Sequence, residues 1–377
     1  MKISVTGLRG IPGVMGGVET HCEELLPRIA DTNPDMRIEV CCRAPYVDAA
    51  KTEYRGIALA PLYSPTGTAS EAIVSTLLGV LHARRRGADA VHIHAVGPAL
   101  LAPLARLLGL RVVVTHHGAD YNRDKWGRFA RLMLKTGEQA ALRFAHRVIC
   151  VSPSLAETMR QRYPAAADKV VFIPNGVSAM PEDARPGDEV LAELGLEAGR
   201  YVLCVARLVP EKGIHYLIEA FRRSGDTRTL AIAGAGREGD RYADELMASA
   251  GGSVRMLGRQ PRSVLGVLYR HASQFVLPSF HEGLPIVALE ALSCDCPVLL
   301  SDIQPNLDLG LPESHYFPVG DVAALAARLA KGGPSPGERA AGALPLMDWD
   351  EVAQRTATQY RALARRSPDG RTLSHAG

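Results

Sequence analysis

The feature of the sequence that most constrains its fold is the alternation of short β-branched runs with amphipathic helical stretches. KISVT (2–6), RVVVT (111–115) and YVLCVA (201–206) are examples of such runs, and helical stretches such as 71–85 lie between runs of this kind. Buried strands that alternate with helices are typical of a parallel sheet covered by helices on both faces. The sequence therefore predicts an α/β fold.

The same alternation starts a second time after SAMPEDARPGDE (178–189), a polar stretch with Pro and Gly that is typical of a linker. The chain of 377 residues is long enough for two domains. We predict two doubly wound, Rossmann-like domains that face each other across a cleft, with the ligand at the carboxyl ends of their strands. The predicted parts are a first domain (1–178), a linker (179–197), a second domain (198–345), a C-terminal helix that crosses back to the first domain (346–366) and a disordered tail (367–377).

Composition and charge exclude several classes of protein. Hydrophobic residues make up 47% and charged residues 22%, as in folded globular proteins, and no apolar run reaches the ~18 residues of a membrane span. The seven cysteines form no paired framework of the secreted kind, so we expect a cytoplasmic protein. Residues 1–180 carry a net charge of +7 and residues 181–377 carry −4. This modest charge, without a basic-aromatic motif, argues against nucleic acid as a partner.

The first glycine-rich loop fits two different functions. TGLRGIPG (6–13) and YNRDK (121–125) match the loose patterns of short-chain dehydrogenases and sugar-nucleotide epimerases. That interpretation requires the third glycine to open a helix, but here a proline precedes it and Gly16 and Gly17 follow it. We therefore predict that the helix begins near Val18. The two glycines then bring backbone N–H groups to an anion at the helix N-terminus.

A second group of polar residues comes from the second half of the chain. Glu282 and Glu290 are separated by seven residues, around a turn that precedes a predicted helix. Glu290 can reach a ribose diol, and the helix N-terminus offers amides to a phosphate. Arg207 and Lys212 follow the strand YVLCVA (201–206), and an Arg fork with a Lys point charge suits a pyrophosphate.

Taken together, these motifs resemble the retaining glycosyltransferases of family 4, which have the GT-B fold. The resemblance covers nearly the whole chain, and RGIP (9–12) with HGADYNRDKWG (117–127) is similar to members that build bacterial surface polysaccharides. It departs at CDCP (294–297), where the family usually has a small residue or Gly before the Pro. The matching motifs are GG (16–17), THHG (115–118), PNGV (174–177), Arg207 with Lys212-Gly213, GAG (234–236), LG (257–258), Glu282-Gly-Leu-Pro with Glu290-Ala291, and DWDE (348–351).

The resemblance implies a role for each matching residue. Glu290 would hold the donor ribose, and Glu282 would contact the hydroxyls of the donor sugar. Arg207 and Lys212 would stabilise the leaving diphosphate, and His117 would lie beside the sugar. The remaining assignments are Gly258 and Arg259 near the base, the amides of Gly283, Leu284 and Pro285 along the sugar and phosphates, and Gly16 and Gly17 closing on the phosphates from the opposite domain.

The resemblance also implies a reaction. It is the transfer, with retention, of a sugar from a nucleotide-diphosphate sugar to a saccharide acceptor, in the biosynthesis of polysaccharides such as exopolysaccharide or O-antigen. The acceptor would be linked to a lipid diphosphate, and the enzyme would associate peripherally with the inner face of the cytoplasmic membrane. No cofactor and no metal are implied, because Arg207 and Lys212 would do what Mg²⁺ does elsewhere. Two alternatives remain, a sugar-nucleotide 2-epimerase-like isomerase and an inactive nucleotide-sugar-binding protein.

Paired histidines raise the question of a zinc site. His92 and His94 share one face of a strand, and His116 and His117 follow the next strand. No later set of His and Asp residues at strand ends completes a site, so we predict none. We expect His94 and His117 to donate hydrogen bonds in the cleft and His92 to be packed. The acidic pair in DWD (348–350) is explained as a helix cap rather than a metal site.

A basic amphipathic helix is predicted at 124–146. Phe129 belongs to its apolar face, and Arg128, Arg131 and Lys135 lie on the opposite face. Two interpretations stay open. The apolar face packs on its own sheet and the basic face is only solvated, or the basic face meets anionic lipid head groups.

Overall fold

The structure, a computed structural model, describes residues 1–66, 70–119, 121, 127–237, 239–332, 334 and 343–364. The predicted tail at 367–377 lies outside these residues. The chain divides into two compact units. The first unit contains Met1–Val14, Val18–Pro174 and the helix that begins at Trp349, and the second contains Met15–Gly17 and Asn175–Asp348.

The first unit is built on an eight-stranded sheet. Its strands are β1 (Lys2–Thr6), β2 (Arg37–Arg43), β3 (Glu53–Tyr54), β4 (Ile57–Leu62), β5 (Ala90–His94), β6 (Arg111–His116), β7 (Arg147–Cys150) and β8 (Val170–Phe172). Its helices up to this point are α1 (Gly17–Thr32), α2 (Glu71–Arg85), α3 (Ala102–Leu107), α4 (Arg128–Phe144) and α5 (Pro153–Arg162). The spatial order is β3-β4-β2-β1-β5-β6-β7-β8, and every neighbouring pair is parallel except β3 with β4.

The order of the strands fixes where this unit can bind a ligand. From β1 the chain passes through α1 to β2 on one side, and later returns through α2 to β5 on the other side. The carboxyl ends of β1 and β5 therefore diverge into opposite connections, and ligands of open α/β sheets bind at such a switch point. The central strands are buried on both faces, as the consecutive residues Val112, Val113 and Val114 of β6 show with no exposed surface, so the predicted parallel sheet is confirmed.

The second unit is built on a six-stranded sheet in which all neighbouring pairs are parallel. Its strands are β9 (Tyr201–Val205), β10 (Thr229–Ala233), β11 (Val254–Gly258), β12 (Gln274–Leu277), β13 (Val298–Ser301) and β14 (Tyr316–Phe317). Its helices are α6 (Gly187–Glu193), α7 (Ile214–Ser224), α8 (Arg241–Ala248), α9 (Arg262–His271), α10 (Ile286–Ser293), α11 (Gln304–Leu307) and α12 (Val322–Ala330). The order β11-β10-β9-β12-β13-β14 places the switch point between β9 and β12.

Two segments next to the unit boundaries, the predicted linker and the last helix, each belong to one unit and bury apolar side chains. The stretch predicted as a linker (179–197) belongs to the second unit and contains α6, whose Val190 and Leu191 are buried. The last helix, α13 (Trp349–Ala364), belongs to the first unit, where Trp349 is almost fully buried. Among the residues that the structure describes, no helix has the length and apolar character needed to cross a membrane.

Candidate functional site

In the second unit, an ion pair lies at the switch point between β9 and β12. Lys212 Nζ contacts Glu282 Oε1, and the Ser279 hydroxyl donates a hydrogen bond to the same oxygen at 2.7 Å. The side chains of Lys212 and Glu282 are only 15% and 11% exposed. Two residues that are 70 positions apart in the chain, and that the sequence assigned to one site, are therefore in direct contact.

The backbone explains why these two loops lie so close together. Gly213 has a φ of +64°, and a Cβ at this position would lie 2.3 Å from the carbonyl oxygen of Pro278. A side chain is therefore excluded both by the left-handed conformation and by the contact. The N–H of Phe280 also donates to the carbonyl of Glu211 at 2.9 Å. These contacts hold the loop that contains Lys212 in direct packing with the loop that contains Glu282.

Glu290 lies in α10 and is almost completely buried, at 4% exposure. Arg262 Nη1 donates to its Oε1 at 2.8 Å, and the Tyr269 hydroxyl donates to its Oε2 at 3.2 Å. Burial, followed by the neighbouring carboxylate of Glu290, raises the pKa of Tyr269 well above its ordinary value. Neither partner of Glu290 was predictable from the sequence, because both come from α9 and form no recognisable motif. A carboxylate offers about four acceptor positions, so this pairing is compatible with a further hydrogen bond from a ribose hydroxyl.

The turn before α10 requires one correction. The amides of Gly283, Leu284 and Pro285 were expected to line the phosphates, but a proline has no N–H to donate. Pro285 instead starts the helix, and its carbonyl accepts from the N–H groups of Ala288 and Leu289 at 3.0 and 3.2 Å. Asn175 Nδ2 fixes the turn by donating to the carbonyl of Leu284 at 2.7 Å. Gly283 and Leu284 remain the candidate donors of this turn.

The other candidate residues of the second unit lie at the ends of strands. Arg207 follows β9 and therefore leaves the sheet at the switch point. Gly258 is the last residue of β11, two strands away from β9, and its φ of +67° is in the left-handed region. Arg259 follows it and is exposed.

In the first unit, three histidines converge near the carboxyl ends of β1 and β5. His94 Nδ1 lies 2.9 Å from His117 Nε2, and the other ring nitrogen of His94 lies 3.6 Å from the sulfur of Cys22. The ring of His21 lies edge-on to both of these imidazoles. Each of the three histidines has a ring nitrogen within 4.8 Å of those of the other two, so they could hold a metal ion. His21 was not predicted as a site residue, because it lies on α1, far along the chain from the paired histidines.

The burial of His94 argues against direct contact of this residue with a ligand. It is 0% exposed, although it was expected to donate to a ligand, and it is hydrogen-bonded to His117 instead. Burial lowers the pKa of His94 well below its ordinary value, so its imidazole is neutral at pH 7. Gly7 keeps the end of β1 against this residue, because a Cβ on Gly7 would lie 2.4 Å from the His94 carbonyl oxygen. The half-buried His117 is the better candidate for contact with substrate.

The two remaining histidines of the motifs have structural partners. His92 is packed as predicted, since its ring nitrogens lie 2.7 Å from the hydroxyls of Tyr360 and Thr115. Burial lowers the pKa of His92 to about 3. His116 Nε2 lies 3.2 Å from the buried carboxylate of Glu138. Neither imidazole is therefore a candidate for binding substrate.

The glycine-rich loop runs past its third glycine, as predicted. The structure has no helix between β1 and Gly17, where α1 begins one residue before the predicted Val18. The dinucleotide interpretation therefore lacks its helix. A Cβ on Gly17 would meet no atom within 4 Å, so packing does not require a glycine there. Gly16 and Gly17 keep their predicted place at a helix N-terminus. In YNRDK (121–125), residues 122–125 lie outside the described residues.

The basic helix differs from its prediction in one respect. It spans Arg128–Phe144, and 124–126 lie outside the described residues. Phe129 was expected on a packed apolar face, but it is 74% exposed, and Leu132 is 62% exposed. The cause is that only the second half of α4 packs closely. There a Cβ on Gly137 would lie 2.0 Å from a backbone oxygen. The first half presents two large apolar side chains together with three exposed cations, Arg128, Arg131 and Lys135.

Comparisons with known proteins show which family this chain is similar to. The family model described as Glycosyltransferase Family 4 matches residues 15–179, and the model described as Glycosyl transferases group 1 matches residues 189–332. The 2-deoxystreptamine N-acetyl-D-glucosaminyltransferase of Streptomyces fradiae is 30% identical over 80% of this chain and 73% of its own length. The alpha-maltose-1-phosphate synthase of Mycolicibacterium smegmatis is 26% identical over 88% of both chains.

Solved structures show the same fold. The sucrose-phosphate synthase of Thermosynechococcus elongatus superposes with a TM-score of 0.79 and 20% identity, over 96% of this chain and 99% of its own. Anabaena HepE in complex with UDP and glucose superposes with a TM-score of 0.74 and 20% identity, over 96% of this chain and 100% of its own. These similarities confirm the predicted GT-B fold class.

Proposed function

The chain belongs to the glycosyltransferases of family 4 and group 1, and on that premise we propose that it is a retaining, metal-independent hexosyltransferase. It transfers a sugar from a nucleotide-diphosphate sugar to a saccharide acceptor. The observation that carries the proposal is the contact of Lys212 with Glu282 at the switch point of the second unit. The UDP and glucose bound to the related fold of HepE support this class of donor.

The cations of the second unit stabilise the leaving group. Lys212 has three N–H donors, so it can keep one on Glu282 and direct another to a diphosphate oxygen. Arg207 leaves the same end of the sheet and adds a fork that matches phosphate geometry. Lys212 and Arg207 are then positioned before the reaction to stabilise the negative charge that develops on the diphosphate. Such preorganised stabilisation is usually the largest single contribution to catalysis.

Glu282 and Glu290 bind different parts of the donor, the transferred sugar and the ribose. Glu282 is fixed by Lys212 and Ser279, and it accepts hydrogen bonds from hydroxyls of the transferred sugar. Glu290 forms an ion pair with Arg262 and accepts from the ribose. In the first unit, His117 contacts the sugar and His94 orients its ring. Gly16 and Gly17, which belong to the second unit rather than to the opposite one, offer amides to the phosphates. Gly258 and Arg259 lie near the base.

The resemblance to retaining glycosyltransferases implies the bond changes of the proposed reaction. The bond between the anomeric carbon and the diphosphate breaks, and the acceptor oxygen bonds to the same face of that carbon. The proton of the acceptor hydroxyl goes to the departing diphosphate oxygen, so no side chain is needed as a base. Configuration at the anomeric carbon is thereby retained.

We expect turnover to survive metal removal, because Arg207 and Lys212 supply the positive charge that Mg²⁺ would supply. A panel of UDP-, GDP-, dTDP- and ADP-sugars is incubated with saccharide acceptors in EDTA, and release of the nucleoside diphosphate is measured. Loss of turnover in EDTA that Mg²⁺ or Mn²⁺ restores would contradict the metal-independent mechanism.

The same assay separates the alternatives. A transferase releases nucleoside diphosphate only when an acceptor is present, whereas a 2-epimerase converts the nucleotide sugar without one. A thermal-shift measurement with each nucleotide identifies the donor base, since a ligand at a hundred times its Kd adds about 2.7 kcal/mol of stability. Stabilisation without any turnover would point to an inactive binding protein.

The proposal also covers the chemical nature of the acceptor and the place in the cell where the protein meets it. We propose a lipid-diphosphate-linked acceptor in surface-polysaccharide biosynthesis, with the protein bound peripherally at the inner face of the cytoplasmic membrane. Support comes from the first half of α4, where Phe129 and Leu132 are exposed beside Arg128, Arg131 and Lys135. Apolar side chains next to cations match the boundary between acyl chains and anionic head groups.

We expect weak binding to anionic vesicles, because each basic residue near such a surface contributes about 1 kcal/mol. Changing Arg128, Arg131 and Lys135 together to Gln should weaken it by roughly 100-fold, and higher salt should weaken it for the wild type. Vesicle flotation measures both effects. A matched control removes three exposed cations of the second unit, Arg222, Arg223 and Arg241. Equal flotation of the two triple variants, or no flotation of the wild type at low salt, would contradict membrane binding through α4.

A further inference from the structure

Three imidazoles of the first unit form a triangle beside the switch point of its sheet. Their ring centroids are 5.6 Å apart for His21 and His94, 4.9 Å for His21 and His117, and 5.2 Å for His94 and His117. A ring nitrogen of each lies within 4.8 Å of those of the other two. They come from three separate elements of the first unit, namely α1, the end of β5 and the residue after β6.

These separations match those of histidines on one metal ion. Zinc binds imidazole nitrogen at about 2.0–2.1 Å in tetrahedral geometry, which places the centroids of two bound rings roughly 5 Å apart. The two nitrogens that lie 2.9 Å apart in His94 and His117 need to separate by only a few tenths of an ångström, since ligand nitrogens on tetrahedral zinc are about 3.3 Å apart. The candidate nitrogens of all three rings lie within 4.8 Å of one another, so ring movements of up to about 1.5 Å bring His21 into a three-coordinate arrangement with them.

The surroundings of His94 supply a further part of such a site. Its Nδ1 faces His117, and its Nε2 lies 3.6 Å from the sulfur of Cys22. A metal-binding histidine ordinarily gives its second ring nitrogen to an outer partner, which fixes the orientation of the ring. The ring of His21 packs edge-on against that of Trp349 at 5.4 Å, a contact that limits its rotation.

Burial indicates an open fourth position. His21 and His94 are buried, whereas His117 is only half-buried, so one side of the triangle is accessible. Three imidazoles with an open position suit zinc among the common divalent ions, because hard cations such as Mg²⁺ prefer oxygen ligands.

We propose that His21, His94 and His117 bind one transition-metal ion, with Zn²⁺ as the best match, and that this ion inhibits the enzyme. Inhibition follows because the ion occupies His117, and this half rests on the proposed contact of His117 with the sugar. Binding itself does not depend on the proposed function. The site is consistent with turnover in EDTA, because removal of the ion leaves His117 available to the substrate.

The experiment starts from the full chain stripped of metal. Titration with Co²⁺ should give the visible absorption of a low-symmetry, nitrogen-bound ion at one equivalent, and calorimetry with Zn²⁺ should give the same stoichiometry. His21→Gln should weaken Zn²⁺ binding by more than the ~10–100-fold that loss of an outer partner costs. The matched control is His215→Gln, which changes an exposed histidine of the second unit and should bind as the wild type does.

A second variant protects the test against misfolding. His117→Ala removes a half-buried ligand, and it should abolish the Co²⁺ absorption while circular dichroism shows the fold intact. Absence of one-equivalent binding in the wild type, or unchanged affinity in folded His117→Ala, would overturn the site. Stoichiometric binding without any fall in turnover would overturn the inhibitory half. If no sugar donor is turned over at all, the proposed function fails, and the titration still decides the metal site.

Discussion

Replacing Lys212 with alanine is expected to lower kcat by about 10²–10³-fold at saturating donor, the usual cost of losing one group that stabilises developing charge. The reason is that the diphosphate gains negative charge as the sugar departs, and Lys212 lies at the switch point where the donor is proposed to bind. Arg207→Ala should show a loss of the same order. The rate of nucleoside diphosphate release, measured over a range of donor concentrations, gives kcat and KM separately.

The partner of Lys212 makes a structural control necessary. Removal of the lysine leaves the carboxylate of Glu282 with a hydrogen bond from Ser279 but without this cation. Breaking a largely buried pair destabilises a protein, so thermal unfolding of each variant must be compared with the wild type. Lys331→Ala, at the exposed end of α12, serves as the matched control and should keep its activity. A folded Lys212→Ala enzyme with kcat within tenfold of the wild type would exclude the proposed role.

The alternation of strands and helices was sufficient to predict two parallel sheets, because a strand that is buried on both faces has a nearly continuous run of hydrophobic residues. The order of the strands was not predictable in the same way. Whether β5 adds beside β1 or beside β4 depends on which helix crosses which face, and no local pattern records it. The switch points, and with them the place of the site, therefore became visible only in the structure.

The sequence likewise predicted some residues of the candidate site but not those that only tertiary packing brings there. Lys212 and Glu282 belong to spaced motifs, so the sequence could assign them to one site before their contact was known. Arg262 and His21 belong to no motif, and each meets its partner through tertiary packing across different elements. The exposure of Phe129 was missed for a related reason. Helical periodicity shows which residues share a face, but not where the neighbouring sheet ends.

The two glutamates are expected to fail in different ways when each is replaced by alanine. Glu290→Ala should weaken binding of the nucleoside diphosphate by roughly 10–150-fold, the value of one hydrogen bond to a charged group, and leave kcat within a few-fold. Ribose keeps the same contacts in the ground state and the transition state, so its loss appears in binding. Glu282→Ala should lower kcat more than donor affinity, because it positions the sugar that changes during the reaction.

Calorimetry with the nucleoside diphosphate, combined with turnover, tests this division. Glu290→Gln is the matched variant, since it keeps the shape of the side chain and one acceptor oxygen for Arg262, while it removes the charge and turns an NH2 group toward the Tyr269 hydroxyl. It should bind the nucleotide better than Glu290→Ala does, provided that both variants melt near the wild-type temperature. Since the nucleoside diphosphate lacks the transferred sugar, Glu282→Ala should bind it almost as the wild type does. Equal loss of affinity in the two alanine variants would show that both carboxylates hold the nucleotide, and the proposed role of Glu282 in positioning the sugar would then be wrong.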